Sequence, residues 1–116
     1  MATLTVATAA ESGVATADTS ASSGGDEFVN TGREVLVVVN SSSSDNDINV
    51  TITAQTTSFT DPLLGTLTKA NQVVAVNEGV TKVIGPFPTA AFNDGAGKVQ
   101  ITYSAVTSLK VGVVQI

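Results

Sequence analysis

Apolar and polar residues alternate along several short segments of the chain, and this alternation predicts β-strands. The clearest case is residues 48–55, where isoleucine, valine and alanine alternate with asparagine, threonine and glutamine. Because successive side chains of a strand point to opposite faces, this segment is expected to pack on one face only. Residues 99–103 alternate in the same way.

Further strands are predicted where valine-rich runs lie between turn residues. They cover residues 27–30, 33–40, 72–76, 81–84 and 109–116, with a short one near residues 4–6. Residues 56–70 are interpreted as an irregular connection, and residues 89–92 as a turn or a short edge strand. Short strands separated by turns favour an all-β fold built as a single antiparallel β-sandwich or barrel, jelly-roll-like in the first instance and immunoglobulin-like in the second.

The run from Val35 to Val39 breaks the alternation, because it is apolar on both faces. A strand with one face in water carries polar residues on that face. This strand is therefore expected either to lie inside the fold or to have its outer face covered by another subunit.

The first 25 residues differ from the rest in being mostly Ala, Thr, Ser and Gly. We interpret residues 1–25 as an extended N-terminal arm and residues 26–116 as the β-sandwich domain. The arm is either a frayed terminus or a segment that orders against a partner. Phe87 and Phe92 flank a proline-stiffened segment, which costs little entropy to dock. The candidate partner contacts are Thr3, Leu4, Thr5, Val6, Val14, Phe87 and Phe92.

Composition argues against several functions. The chain has no histidine and no cysteine, so the commonest general base and the thiolate metal ligands are missing. Its net charge of -5, with scattered basic residues, disfavours nucleic-acid binding. No apolar stretch approaches the length of a membrane span, and no secretory signal is visible. We expect no enzyme activity and no catalytic, cofactor or metal site.

Two parts of the sequence resemble a known family. The first is the run of residues 24–40, Gly-Gly-Asp-Glu-Phe-Val-Asn-Thr-Gly-Arg-Glu-Val-Leu-Val-Val-Val-Asn, and the second comprises residues 84–88, 92–94 and 97–103. These motifs are similar to those of the head decoration, or cement, proteins of tailed bacteriophages, and the resemblance covers residues 24–116. It implies a structural protein made in the bacterial host cytoplasm and placed on the outer surface of the virion capsid.

The same resemblance implies partners. It suggests binding to the major capsid protein and a homo-oligomer, with a trimer favoured. Alternative functions are another virion part (a neck, tail or fibre module), a carbohydrate- or host-binding sandwich, and a cell-surface adhesin domain.

Overall fold

The computed structural model describes residues 2–43, 46–55 and 58–116, which form short strands and one helical turn. The strands are β1 (Ala2–Thr3), β2 (Val6–Thr8), β3 (Thr19–Ser20), β4 (Asp26–Val29), β5 (Glu34–Asn40), β6 (Ile48–Ile52), β7 (Ser58–Asp61), β8 (Gly65–Thr68), β9 (Gln72–Val76), β10 (Thr81–Ile84), β11 (Lys98–Tyr103) and β12 (Leu109–Gln115). The helix α1 spans Thr89–Phe92.

Two packed sheets make up the body of the fold. Sheet A has the strand order β1-β4-β11-β6-β9, and sheet B has the order β10-β5-β12-β2, with β3 also paired to β12. Strands from the two ends of the chain are therefore neighbours in both sheets, β4 beside β11 and β5 beside β12. A separate two-stranded hairpin is formed by β7 and β8.

The core lies between the two sheets and is built from the inward positions of the alternating strands. In β5, Leu36 and Val38 have no exposed surface, whereas Val35, Val37 and Val39 are half-buried on the outer face. The apolar side chains without exposed surface are Phe28, Leu36, Val38, Ile48, Val50, Ile52, Val76, Val99, Ile101 and Val111. Each such residue stabilises the fold by roughly 1.5–3 kcal/mol relative to full exposure.

The all-β, two-layered architecture is confirmed, whereas the expected antiparallel pairing is wrong in part and the barrel alternative is excluded. The sheets are mixed rather than purely antiparallel, because β1 runs parallel to β4 and β2 runs parallel to β12. The fold is also not a closed barrel, since sheet A ends at β9 and sheet B ends at β10.

Residues 2–25 belong to the segment that was expected to form an extended arm. They lie along the sandwich of their own chain, where β1, β2 and β3 pair with strands of the body. Leu4 is only 5% exposed and Ala21 only 8%, so both belong to the core. The division of the chain at residue 25 stays a prediction.

Of two connecting segments, the first differs from expectation, and the second is a turn, one of the two alternatives expected for it. Residues 58–68 form the β7–β8 hairpin, where an irregular connection was expected. Residues 89–92 form a single helical turn, whose buried Ala91 and Phe92 face the core.

Candidate docking surfaces

The first candidate surface is the N-terminal segment, defined here as residues 2–20. At the edge of sheet A, Ala2 and Thr3 lie opposite Asp26 and Glu27 in parallel register. The Leu4 amide donates a hydrogen bond of 2.8 Å to the Glu27 carbonyl, which continues the pairing by one residue. The segment thus covers one edge of sheet A with very few residues.

The same segment covers the neighbouring edge of sheet B. Residues 6–8 pair with residues 113–115 of β12, and residues 19–20 pair with residues 110–111 of the same strand. The Ala21 amide then donates to the Leu109 carbonyl at 3.0 Å. Between these two pairings the chain leaves the edge of the sheet and returns to it.

Gly112 allows the chain to cross the sheet on its way back. A Cβ atom at this position would overlap the backbone nitrogen of Ala17 and the Oγ1 of Thr16. Ala17 has a left-handed φ of 57°, which is unusual for a residue with a side chain. On β12, Gly112 alternates with the inward Val111 and Val113, so the crossing lies over the outer face of sheet B. Part of the outer face of sheet B, next to β5, is thus covered by the chain itself.

The predicted contact residues of the N-terminal segment lie in different environments. Thr3 and Thr5 are exposed, and Val14 is 41% exposed. Leu4 is buried and Val6 packs partly against the core, so both anchor the segment to its own chain. Partner contact by these residues stays a prediction.

The second candidate surface, here called the groove, lies between the free edges of the two sheets. It encloses about 440 Å³ between β9 and β10, and the loop of residues 85–88 forms one end. Its apolar lining includes Val74, Ile84, Phe87 and Phe92. Phe87 and Phe92 are 3% and 4% exposed. They therefore form the base of the groove, and they do not project as anchors.

Lys69 and Lys82 line the groove and make it locally positive. The Lys69 ammonium lies 5.1 Å from the centre of the Phe92 ring, within the range of a cation–π contact. Neither lysine forms a salt bridge within the part of the chain that the structure describes. Among the described residues that line the groove, none is an aspartate or a glutamate.

Hydrogen bonds from the buried Asn30 hold the loop at the end of the groove. Its Nδ2 donates to the Phe87 carbonyl at 3.0 Å and to Asn93 Oδ1 at 2.7 Å. The side-chain Nδ2 of Asn93 donates back to the Asn30 backbone carbonyl at 2.9 Å. The Phe87 ring packs against Phe28 and Phe92, with centroid separations of 5.8 Å and 5.9 Å. The groove is therefore formed in advance of any binding.

A cluster of charged and polar side chains lies on the outer face of sheet A. Lys98 forms a salt bridge of 2.7 Å with Glu27. The Lys98 hydrogen bond lowers the pKa of Glu27 and, in return, the pKa of Lys98 is raised. Asp94 accepts hydrogen bonds from the amides of Lys98 and Ala96 and from the Gln100 side chain, which lower its pKa. These charged and polar groups therefore stabilise a turn and the two strands next to it.

A polar pair, formed by the buried Asp26 and the half-buried Tyr103, lies at one end of the interior. The Tyr103 hydroxyl donates to Asp26 Oδ2 at 2.7 Å, and the Ser22 amide donates to the same oxygen at 3.2 Å. Burial, followed by the bond to Asp26, raises the pKa of Tyr103. The other Asp26 oxygen, Oδ1, is buried without a hydrogen-bond partner among the described residues.

Sequence reasoning missed the groove as a site. It singled out Phe87 and Phe92, but Lys69 and Lys82 are thirteen positions apart and carry no motif. Only the strand order, which puts β9 and β10 at corresponding edges of the two sheets, brings them together.

No protein-family model, curated protein or solved structure matches the chain. Within the described residues, no group of three or more acidic side chains is arranged to hold a metal ion. Among the same residues, no helix is long and apolar enough to cross a membrane.

Proposed function

We propose that the protein is a structural virion protein that binds the outside of a tailed-phage capsid and stabilises the shell. The major capsid protein is the proposed partner. The observation that carries this proposal is the docking of the N-terminal segment, which lies as two- and three-residue edge strands on both sheets. Such strands hold by backbone hydrogen bonds, and the same bonds are used when one protein adds a strand to another.

The shape of the molecule supports the proposal. The described chain measures 49 × 35 × 22 Å, and its two sheets share one apolar core. Buried polar side chains brace its turns. A stiff, flat body that presents loops and edge strands suits a protein whose work is adhesion.

The resemblance of residues 24–116 to head decoration proteins gives the proposal its specific form. Several residues of the resembling runs, among them Asn30, Glu34 and Asp94, hold turns by hydrogen bonds. A jelly-roll-like arrangement belongs to the same proposal. It is supported by the neighbouring positions of β4 and β11 and of β5 and β12, a return typical of Greek-key folds.

The test is binding of the purified protein to phage heads that lack it. Deletion of residues 2–16 would remove the buried Leu4 and disturb the core, so point variants are preferable. Thr3→Lys combined with Thr5→Lys changes two exposed positions at the start of the segment. We expect this variant to keep its circular dichroism spectrum and thermal midpoint but to lose at least tenfold in head affinity, or about 1.4 kcal/mol.

Thr102→Lys is the matched control, because Thr102 is an exposed threonine on β11. It should bind heads like the wild type. Undiminished occupancy of the Thr3/Thr5 variant would refute the role of the segment, and failure of the wild type to bind would refute the function. Mass spectrometry of virions should show a copy number that scales with the major capsid protein.

A further inference from the structure

We propose that the groove of one copy binds residues 11–18 of a second copy, so that copies join head to tail. The two surfaces lie at opposite edges of the sandwich. In sheet A the N-terminal β1 is at one end and β9 is at the other, and in sheet B β2 and β10 occupy the two ends. One copy therefore presents both halves of the contact on different sides.

Charge complementarity favours a second copy of the chain as the occupant of the groove. The groove carries Lys69 and Lys82, and none of its described lining residues is acidic. Residues 11–18 carry Glu11 and Asp18, both exposed, and no Lys or Arg precedes Arg33 in the sequence. The basic groove and the acidic segment are complementary, which guides register and partner choice at an interface.

The apolar parts of the two surfaces also correspond. Between Glu11 and Asp18, Val14 exposes 41% of its surface. The groove offers Val74, Ile84 and the edges of Phe87 and Phe92 for such a side chain to contact. An apolar contact framed by opposite charges is the usual layout of a specific interface, with an apolar centre and a polar rim.

The geometry makes this a heterologous contact, in which two different surfaces of identical chains meet. Such contacts close into a ring when the rotation between copies allows it, and otherwise they continue as a chain. The inference does not depend on a capsid, since it concerns only contacts between copies. Failure to bind heads would leave it standing, and its own failure would leave head binding untouched.

The experiment is sedimentation velocity of the full chain over a range of concentrations at low salt. It uses three variants. K69E/K82E reverses the charge of the groove, E11K/D18K reverses the charge of residues 11–18, and the fourfold variant reverses both charges. We expect the wild type to associate and each double variant to lose about tenfold or more in association constant. The fourfold variant should recover association to near the wild-type level, because the charges are again opposite.

Salt and control variants sharpen the test. Association of the wild type should weaken at about 1 M salt, where the Debye length falls to about 3 Å. R33E and D47K change exposed charges elsewhere and should leave association unchanged. Circular dichroism verifies that every variant is folded. A wild type that is monomeric at all concentrations, double variants that associate normally, or a folded fourfold variant without recovery would each overturn the proposal.

Discussion

Four polar residues, Asp26, Asn30, Glu34 and Asn40, are at most 4% exposed and brace turns from within. Asn40 illustrates the principle, because its Nδ2 donates to the Asn46 carbonyl at 2.6 Å and to the Val76 carbonyl at 3.0 Å. A buried polar group without partners would cost about 1–3 kcal/mol, so such side chains persist where they satisfy backbone groups.

Glu34 is the buried carboxylate whose surroundings make the clearest prediction. It accepts hydrogen bonds from the amides of Thr31 at 2.6 Å and Arg33 at 3.2 Å, and from Gln115 Nε2 at 3.0 Å. Burial raises the pKa of Glu34, but the hydrogen bonds from Thr31, Arg33 and Gln115 together outweigh it, so the pKa lies below its usual value. The ionised form is thus bound more tightly in the folded state.

Glu34→Gln should therefore lower the free energy of unfolding by about 1–3 kcal/mol at neutral pH. In the wild type this contribution is present above the unfolded pKa, about 4.3, and is lost as the pH falls through the lower, folded pKa. Urea unfolding at several pH values measures it, and the difference between wild type and variant should shrink in acid.

Glu11→Gln, at an exposed position, is the matched control and should leave the unfolding free energy within about 0.5 kcal/mol of the wild type. A difference between Glu34→Gln and the wild type that stays constant down to pH 2 would contradict the role assigned to the ionised carboxylate.

At the scale of elements, the apolar patterns predicted the strands of the body well and the short N-terminal strands poorly. The strands expected at residues 27–30, 33–40 and 72–76 are present within a residue or two. Both faces of β5 are apolar because its inner face lines the core and its outer face carries the half-buried valines. A strand that is buried on at least one face carries apolar residues on that face, so its apolar pattern can be recognised in the sequence.

The parts that could not be predicted are held by backbone bonds rather than by apolar patterns. The edge strands β1, β2 and β3 are two or three residues long, too short to show a period. The parallel direction of β1 and β2 depends on where the chain arrives at each sheet, which local sequence does not encode. The β7–β8 hairpin likewise belongs to neither of the two main sheets.

Gly112 offers a test of how the N-terminal segment is held. Gly112→Ala adds a methyl group where the backbone of Ala17 passes, so residues 16–17 must move away from the sheet. We expect a loss of about 1–3 kcal/mol, the usual cost of overpacking. Limited proteolysis with mass spectrometry should show faster cleavage within residues 9–18 than in the wild type.

Gly95→Ala is the matched control, since a Cβ there meets no atom within 4 Å. It should change neither the stability nor the cleavage pattern. Equal cleavage of the Gly112 variant and the wild type would show that the crossing does not hold the segment.

At the scale of the whole molecule, the groove depends on strand order. The sequence therefore indicated its aromatic residues, Phe87 and Phe92, but not the lysines that lie beside them. Lys69 follows the hairpin and Lys82 belongs to β10, whereas Phe92 ends α1. Each of these residues is ordinary in its own segment. Only the open edges of two packed sheets make them a single surface.

The same packing predicts that the N-terminal segment and both sheets unfold together, because Leu4 and Ala21 share one core with the body. Tyr103, the only tyrosine in a chain without tryptophan, reports on this core through its bond to Asp26. The pKa of Tyr103 is raised because the folded state favours its neutral hydroxyl. This preference stabilises the folded state below about pH 10, the pKa of the unfolded tyrosine, and the stabilisation is lost as the pH rises beyond that value. Absorbance at a phenolate wavelength and circular dichroism should therefore change together in one alkaline transition above pH 10. Ionisation near pH 10 with the β-sheet signal intact would show that the tyrosine is not held in a shared core.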